Sequence, residues 1–182
     1  AERDAQQLMR QAVTIEQYNG RLITINGQSY LNFSGNDYLG LATAPEVLQA
    51  YADGALKYGA GSSGSPLVTG QHLIHQQLTD TLCDWLGVER VLLFSSGFAA
   101  NQAMLQTLAA KDDTLLLDKL SHASLIDGAL HSAASMKRFA HNDISALAQL
   151  LPQLPQSMVV TEGVFSMDGD SPDLAALYSL CQ

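Results

Sequence analysis

Three short segments of this chain set hydroxyl, glycine, imidazole and carboxylate groups directly after apolar runs. Ser95-Ser96-Gly97-Phe98 follows Val91-Leu92-Leu93-Phe94, and Ser121-His122-Ala123-Ser124 comes soon after Leu115-Leu116-Leu117-Asp118. Glu162-Gly163-Val164-Phe165-Ser166-Met167-Asp168-Gly169-Asp170 follows Met158-Val159-Val160-Thr161. A Ser-Gly pair where a strand passes into a helix is suited to an anion. Glycine lets the backbone come close, the first N–H groups of the helix are free, and the helix dipole favours negative charge. The same pair also occurs for turn geometry alone. His122, at a helix start, is placed to stack on a planar ring or handle a proton; the other reading is a capping histidine bonded to backbone. Ser166 reads as a ligand-binding hydroxyl, and Glu162 as a group that orients neighbours or supports a proton network. Asp168 and Asp170 read as turn formers. Asn36, in the polar loop Ser34-Gly35-Asn36-Asp37-Tyr38, either reads a carboxylate or shapes a turn. His72, His75, His131 and His141 read as surface or structural residues. With no metal-pair spacing and no CxxC, no metal is expected.

Positioning such loops calls for a sheet. Leu22-Ile23-Thr24-Ile25 and Tyr30-Leu31-Asn32-Phe33 flank Asn26-Gly27, which predicts a hairpin. Residues 1–13 are polar and helix-prone. Pro45 opens a helix to about Leu56. Leu73 to Leu86 carries apolar residues at helical spacing and is stopped by Gly87. Beyond it, strands are expected at Val91–Phe94, Thr114–Leu117, Met136–Phe139 and Met158–Thr161. Helices are expected at Phe98–Ala110, Ser121–His131, Asp143–Leu151 and from Asp173 onward. Strands that are apolar throughout and alternate with helices predict an α/β fold, a mostly parallel sheet covered on both faces. The expected organisation is an N-terminal helix and hairpin segment, 1–44, followed by the first part of a larger α/β domain, 45–182. The stretch Gly59 to Gly70 is a Gly/Ser-rich loop without the Walker pattern, so a P-loop is excluded. The helical run Leu174–Leu180 meets no stop signal before Gln182, from which a truncated chain is expected.

Composition narrows the classes further. The 182 residues carry 18 acidic and 9 basic side chains for a net charge of −9, with 47% hydrophobic residues. That is a globular composition, and without a basic cluster it excludes a nucleic-acid surface. Cys83 sits in an apolar helical run and reads as a buried thiol; Cys181 is the other cysteine. No apolar leader or membrane-length run is present, so a cytoplasmic protein is expected.

Five segments together carry a resemblance: Asn32-Phe33-Ser34-Gly35-Asn36-Asp37-Tyr38-Leu39-Gly40, Phe94 to Gln102, Leu120 to Leu125, Phe139-Ala140-His141-Asn142-Asp143 and Val160 to Asp170. In this order they resemble the α-oxoamine synthases, fold-type I pyridoxal-phosphate enzymes that join an amino acid to an acyl thioester with loss of carbon dioxide. Gly97 with Ala99-Ala100-Asn101 is similar to the branch serving biotin synthesis, which condenses L-alanine with a pimeloyl thioester. The resemblance implies a fold-type I domain, here its N-terminal part, pyridoxal 5'-phosphate (PLP) as cofactor, small-molecule substrates and a homodimer. It implies that Gly97 and Phe98 hold the cofactor phosphate through their N–H groups, with Ser96 beside them. His122 would stack on the pyridine ring against the substrate and be the catalytic residue, and Ser166 would bond the phenolic oxygen. Asn36 would contact the amino-acid carboxylate. Arg10 matches the family's N-terminal substrate arginine by spacing from the hairpin, although its flanking residues differ. Pro66 stands where the family commonly has Arg or His, so no ligand role is carried there. The family's Schiff-base lysine, its pyridine-facing aspartate and a second histidine fall further downstream. Lys57, Lys111, Lys119 and Lys137 read as surface residues outside the site-forming loops. Two alternatives stand beside this: another α-oxoamine synthase using glycine or serine, and a chain that is inactive by itself.

Overall fold

A computed structural model describes residues 6, 9 and 11–182. Most of the helix expected over 1–13, together with Arg10, therefore lies outside the described residues; 11–13 form no helix. The chain falls into two compact units, 1–80 and 81–182. The division expected between 44 and 45 lies within the first.

The first unit holds a small antiparallel sheet in the order β1 (Gln17–Asn19), β2 (Leu22–Ile25), β3 (Gln28–Leu31). Asn26 and Gly27, with φ of 49° and 72°, form the two-residue turn that places Ile25 opposite Gln28. Both central residues at positive φ match the twist of the flanking strands, which is why Asn-Gly reads so clearly. The second strand of the hairpin thus begins two residues earlier than Tyr30, and Asn32-Phe33 lie beyond it. β1, which the sequence did not indicate, pairs with β2 from Gln17 opposite Thr24. Helix α1 (Pro45–Tyr58) has proline in its first turn. Helix α2 (Leu73–Leu86) matches its apolar spacing, and Gly87 follows at φ 66°. The break between the units falls within α2.

The second unit carries three parallel strands in the order β5 (Ser135–Phe139), β4 (Thr114–Asp118), β6 (Ser157–Val160). Every residue of central β4 is buried, and its side chains alternate between two cores. Leu115 and Leu117 pack with Leu105 and Ala109 from α3 (Gly97–Leu108) and its end, and with Leu125 and Ala129 of α4 (Ala123–Leu130). Leu116 packs on the other face with Leu147 of α5 (Ile144–Leu150) and Leu177 of α6 (Leu174–Leu180). This is the doubly covered parallel sheet expected from strands apolar on both faces. Asp143 and Asp173 cap α5 and α6, accepting from Ala146 and Ala176 N–H at 2.8 and 2.9 Å.

One expected strand is absent. Val91–Phe94 forms no strand, and Leu92 is 82% exposed. Apolar β-propensity alone does not make a strand. A strand also needs a partner to pair with, and this segment pairs with no strand of the β5-β4-β6 sheet. The helix expected from Ser121 begins at Ala123, because His122 is extended at φ −56°, ψ 148° and caps it.

Candidate active site at the carboxyl ends of the strands

Parallel strands present their carboxyl ends along one edge, where α/β proteins bind ligands. At that edge the segments 119–122 after β4, 140–143 after β5 and 161–173 after β6 come together.

Ser96 is the N-cap of α3: its Oγ accepts the Ala99 N–H at 3.1 Å, and its carbonyl accepts the Ala100 N–H at 3.1 Å. Of the first donors of the helix, those of Gly97 and Phe98 remain outward, as helix geometry requires. A Cβ built on Gly97 would meet nothing within 4 Å, so the space beside its Cα at the helix start is open. The Ser96 hydroxyl, having accepted from Ala99, still has its own proton to donate.

His122 lies beside this helix start. Its ring centroid is 6.4 Å from that of Phe98, with the planes at 76°. A chain of donors fixes the imidazole. Asn101 Nδ2 donates to Ser124 Oγ at 2.9 Å, and Ser124 Oγ stands 2.7 Å from His122 Nδ1. The Ser124 N–H also donates to Nδ1, at 3.2 Å. With Nδ1 accepting, the proton of the neutral ring sits on Nε2, which is left for a ligand. Ser124 is fully buried while His122 is exposed, so a rigid base carries an accessible ring. The capping reading of His122 holds, since Nδ1 accepts the Ser124 N–H at the helix start, and Nε2 is not used by that cap.

Glu162, past the end of β6, accepts the His122 backbone N–H through Oε1, tying the β6 loop to the β4 loop. That is the orienting role read for it. Ser166 is exposed on the same loop. A cavity on this face, lined by Asn101, Met104, Leu125, Val160, Glu162 and Val164, includes none of Gly97, Phe98, His122 or Ser166. Phe98, His122 and Glu162 are thus brought together, and Ser166 lies further along the loop that carries Glu162. Asn36 sits in the first unit, in a loop held by Asp37. Asp37 accepts the Tyr18 hydroxyl at 2.8 Å and the Ala42 N–H at 3.3 Å.

Two features departed from expectation. Lys119 stands exposed in the β4–α4 loop itself, so a lysine does occur in a site-forming loop. Asp170 is more than a turn former. Its Oδ2 lies 2.9 Å from His141 Nε2 and accepts from Asn142 Nδ2 at 2.7 Å. His141 is only 22% exposed, and its Nδ1 reaches Asp118 Oδ1 at 2.9 Å. Asp118 is buried and also accepts the N–H groups of Leu120 and Asn142, at 2.8 and 2.9 Å. Burial pushes the Asp118 carboxyl up, but the Asn142 and Leu120 N–H groups and His141 outweigh it, and the net displacement is below 3.8. The hydrogen bond to Asp118, then that to Asp170, holds the His141 pKa above 6.5, against the opposing effect of desolvation. Sequence reading missed Asp118, Asn101 and Ser124 as positioning groups. A hydroxyl two residues after His122 was the available signal for Ser124.

The aminotransferase class I and II family model matches residues 28–182. The chain belongs to this family. An 8-amino-7-oxononanoate synthase of Vibrio atlanticus is 56% identical over 98% of this chain and 44% of its own length. One of Yersinia enterocolitica is 58% identical over 87% of this chain and 42% of its own. The chain therefore spans less than half the length of these relatives. Among solved structures, a serine palmitoyltransferase of Sphingomonas wittichii superposes with a TM-score of 0.91 at 33% identity, covering 98% of this chain and 47% of that one. A serine palmitoyltransferase variant of S. paucimobilis with a bound PLP–myriocin aldimine gives 0.90 at 32% identity, covering 93% and 44%. An 8-amino-7-oxononanoate synthase of Francisella tularensis gives 0.69 at 35% identity, covering 81% and 41%. These likenesses bear out the fold-type I α/β architecture and the resemblance read from the sequence. No helix among the described residues is long and apolar enough to cross a membrane.

Proposed function

We propose that this chain is the cofactor-binding part of a PLP-dependent acyltransferase that condenses L-alanine with a pimeloyl thioester to 8-amino-7-oxononanoate, in biotin synthesis. The observation that carries the reading is the open start of α3 beside the exposed, tautomer-fixed ring of His122. An anionic group with a flat aromatic ring fits that pair. The Gly97 and Phe98 N–H groups with the Ser96 hydroxyl would hold the phosphate, His122 would lie against the ring, and Ser166 would bond its phenolic oxygen. When bound, the cofactor supplies an electron sink for charge developing on the amino-acid carbon. The chain's own contribution is orientation. Asn101 and Ser124 fix the imidazole, Glu162 fixes its backbone, and Nε2–H is left to hydrogen-bond the incoming acyl oxygen. Asn36 and Arg10 are assigned to the amino-acid carboxylate. The working form is assigned as a cytoplasmic homodimer.

Relatives of that name at 56% and 58% identity support alanine and the pimeloyl donor. The closer superposition on serine palmitoyltransferases favours, as second reading, another α-oxoamine synthase with serine as amino acid. The test is a product assay on the complete protein with PLP, pimeloyl-CoA and, in turn, L-alanine, glycine and L-serine. The mass of 8-amino-7-oxononanoate with alanine supports the first reading. Coenzyme A release with serine or glycine, and none with alanine, replaces it with the second.

A further inference from the structure

The segment Phe139-Ala140-His141-Asn142-Asp143 supplies no group to the proposed cofactor cradle, yet its histidine is the most heavily partnered imidazole among the described residues. We propose that His141, clamped between the carboxylates of Asp118 and Asp170, is a positioning residue that locks the Phe165–Asp170 turn to the end of β4 and thereby fixes Ser166. The inference deepens the reading of Ser166 as a cofactor ligand and rests on it.

Both ring nitrogens of His141 face carboxylate oxygens at 2.9 Å. A carboxylate only accepts, so both contacts are satisfied only if both nitrogens carry protons, that is, by imidazolium. A neutral ring would turn a lone pair toward one of the two anions. The turn on the far side of the clamp is closed on itself. The Phe165 N–H donates to the Asp170 carbonyl at 2.9 Å, and the Gly169 N–H to the Phe165 carbonyl at 2.8 Å. Phe165 is 2% exposed, with its ring edge-on to the imidazole at 4.5 Å. Ser166 follows Phe165 directly, so anchoring Phe165 and Asp170 sets its backbone. Asp118 is rigid at the other end, held by Leu120 and Asn142 N–H groups.

The ionisable groups facing His141 are Asp118 from β4 and Asp170 and Asp168 from the turn. The donor atoms of His141, Asp168 and Asp170 lie within 4.8 Å of one another. Asn142 adds a neutral amide whose Nδ2 donates to Asp170 Oδ2 at 2.7 Å and stands 3.3 Å from His141 Nε2, the longer of the two contacts. All the charges are negative, which favours the imidazolium. A histidine whose pKa is raised on folding contributes stability below its unfolded value and loses it as pH rises through the folded one. The clamp therefore loosens on the alkaline side of the ordinary histidine range.

The experiment is amide hydrogen exchange of this chain without cofactor, read as protection factors across pH. Ring-nitrogen NMR shifts of His141 report its protonation in the same samples. The expected result is a His141 midpoint above 6.5 and a loss of protection at Phe165 and Gly169, on the order of tenfold, centred on that midpoint. In His141→Gln that pH dependence should vanish while protection of Leu116 in β4 persists. Should His141→Gln fail to fold, the titration of the unsubstituted chain decides alone. A ring already neutral at pH 6.5, or protection at Phe165 and Gly169 that stays flat through the midpoint, overturns the proposal. Because no cofactor enters this readout, failure of PLP to bind would sink the cofactor reading separately.

Discussion

At the scale of single residues, what matters about His122 is how few of its atoms are left free. Nδ1 is occupied by Ser124, the backbone N–H by Glu162, and the ring edge approaches Phe98. Removing the Ser124 hydroxyl leaves Nδ1 with only the longer bond from the Ser124 N–H and strands the Asn101 amide in a partly buried place. Ser124→Ala should therefore destabilise the chain by about 1–2 kcal/mol in denaturant titration. Nitrogen shifts of the His122 ring should at the same time show mixed tautomers. A single Nε2–H tautomer surviving in that variant would contradict the orienting role. Glu162→Gln should cost less, because the amide oxygen can still accept the His122 N–H; Glu162→Ala should cost more. The types of Ser96, Gly97, His122 and Ser166 were legible because each stands at the end of an apolar run. The residues that orient them were not, because Asn101, Asp118 and Asp170 act across 23 to 29 positions of sequence, and no local pattern encodes a long-range hydrogen bond.

The elements that carry these residues are held at close range. Helices α3 and α4 cross where Gly128 meets Gln102; a Cβ there would lie 3.0 Å from the Gln102 Cα and 3.3 Å from the Asn101 carbonyl oxygen. Backbone cannot step aside as a side chain can, so Gly128→Ala should force the helices apart. The expected cost is about 1–3 kcal/mol, seen as a lower thermal midpoint. It should be accompanied by altered shifts at Asn101 and Ser124, and a neutral Gly128→Ala would refute this packing. A second expectation concerns caps: Asp143→Ala should cost about 1 kcal/mol by denaturant titration, through loss of the bond to the Ala146 N–H. Most elements were legible for local reasons. Asn26-Gly27 demands positive φ at both positions, Pro45 and Gly87 punctuate helices, and the leucines of β4 are apolar on both faces. The failures were non-local. β1 exists because β2 offers it an edge, and Val91–Phe94, although apolar, pairs with no strand of the sheet.

For the whole molecule, the exposed apolar surface has a consequence of its own. Phe33, Leu56, Leu67 and Leu92 are each at least 82% exposed, and large exposed apolar side chains favour association. This chain by itself should self-associate as concentration rises and should bind a hydrophobic dye in its folded state. A strictly monomeric, dye-free sample in light scattering would show the surface to be covered. The chain alone should also form no stable covalent Schiff base with PLP, since a neutral, desolvated amine is needed at the aldehyde. Lys119 is exposed and Lys57 lies over the Tyr58 ring in the first unit. Borohydride trapping followed by peptide mapping checks this, and Lys119, in the β4–α4 loop, is the position to watch. The proposed cofactor cradle is the start of α3 together with His122. It is tested most directly by following amide and imidazole shifts while PLP, and separately pyridoxal without its phosphate, is added to the labelled chain. The Gly97 and Phe98 amides should move with PLP and not with pyridoxal, and the His122 ring should respond to both. Binding of PLP that leaves Gly97, Phe98 and His122 unmoved would contradict it.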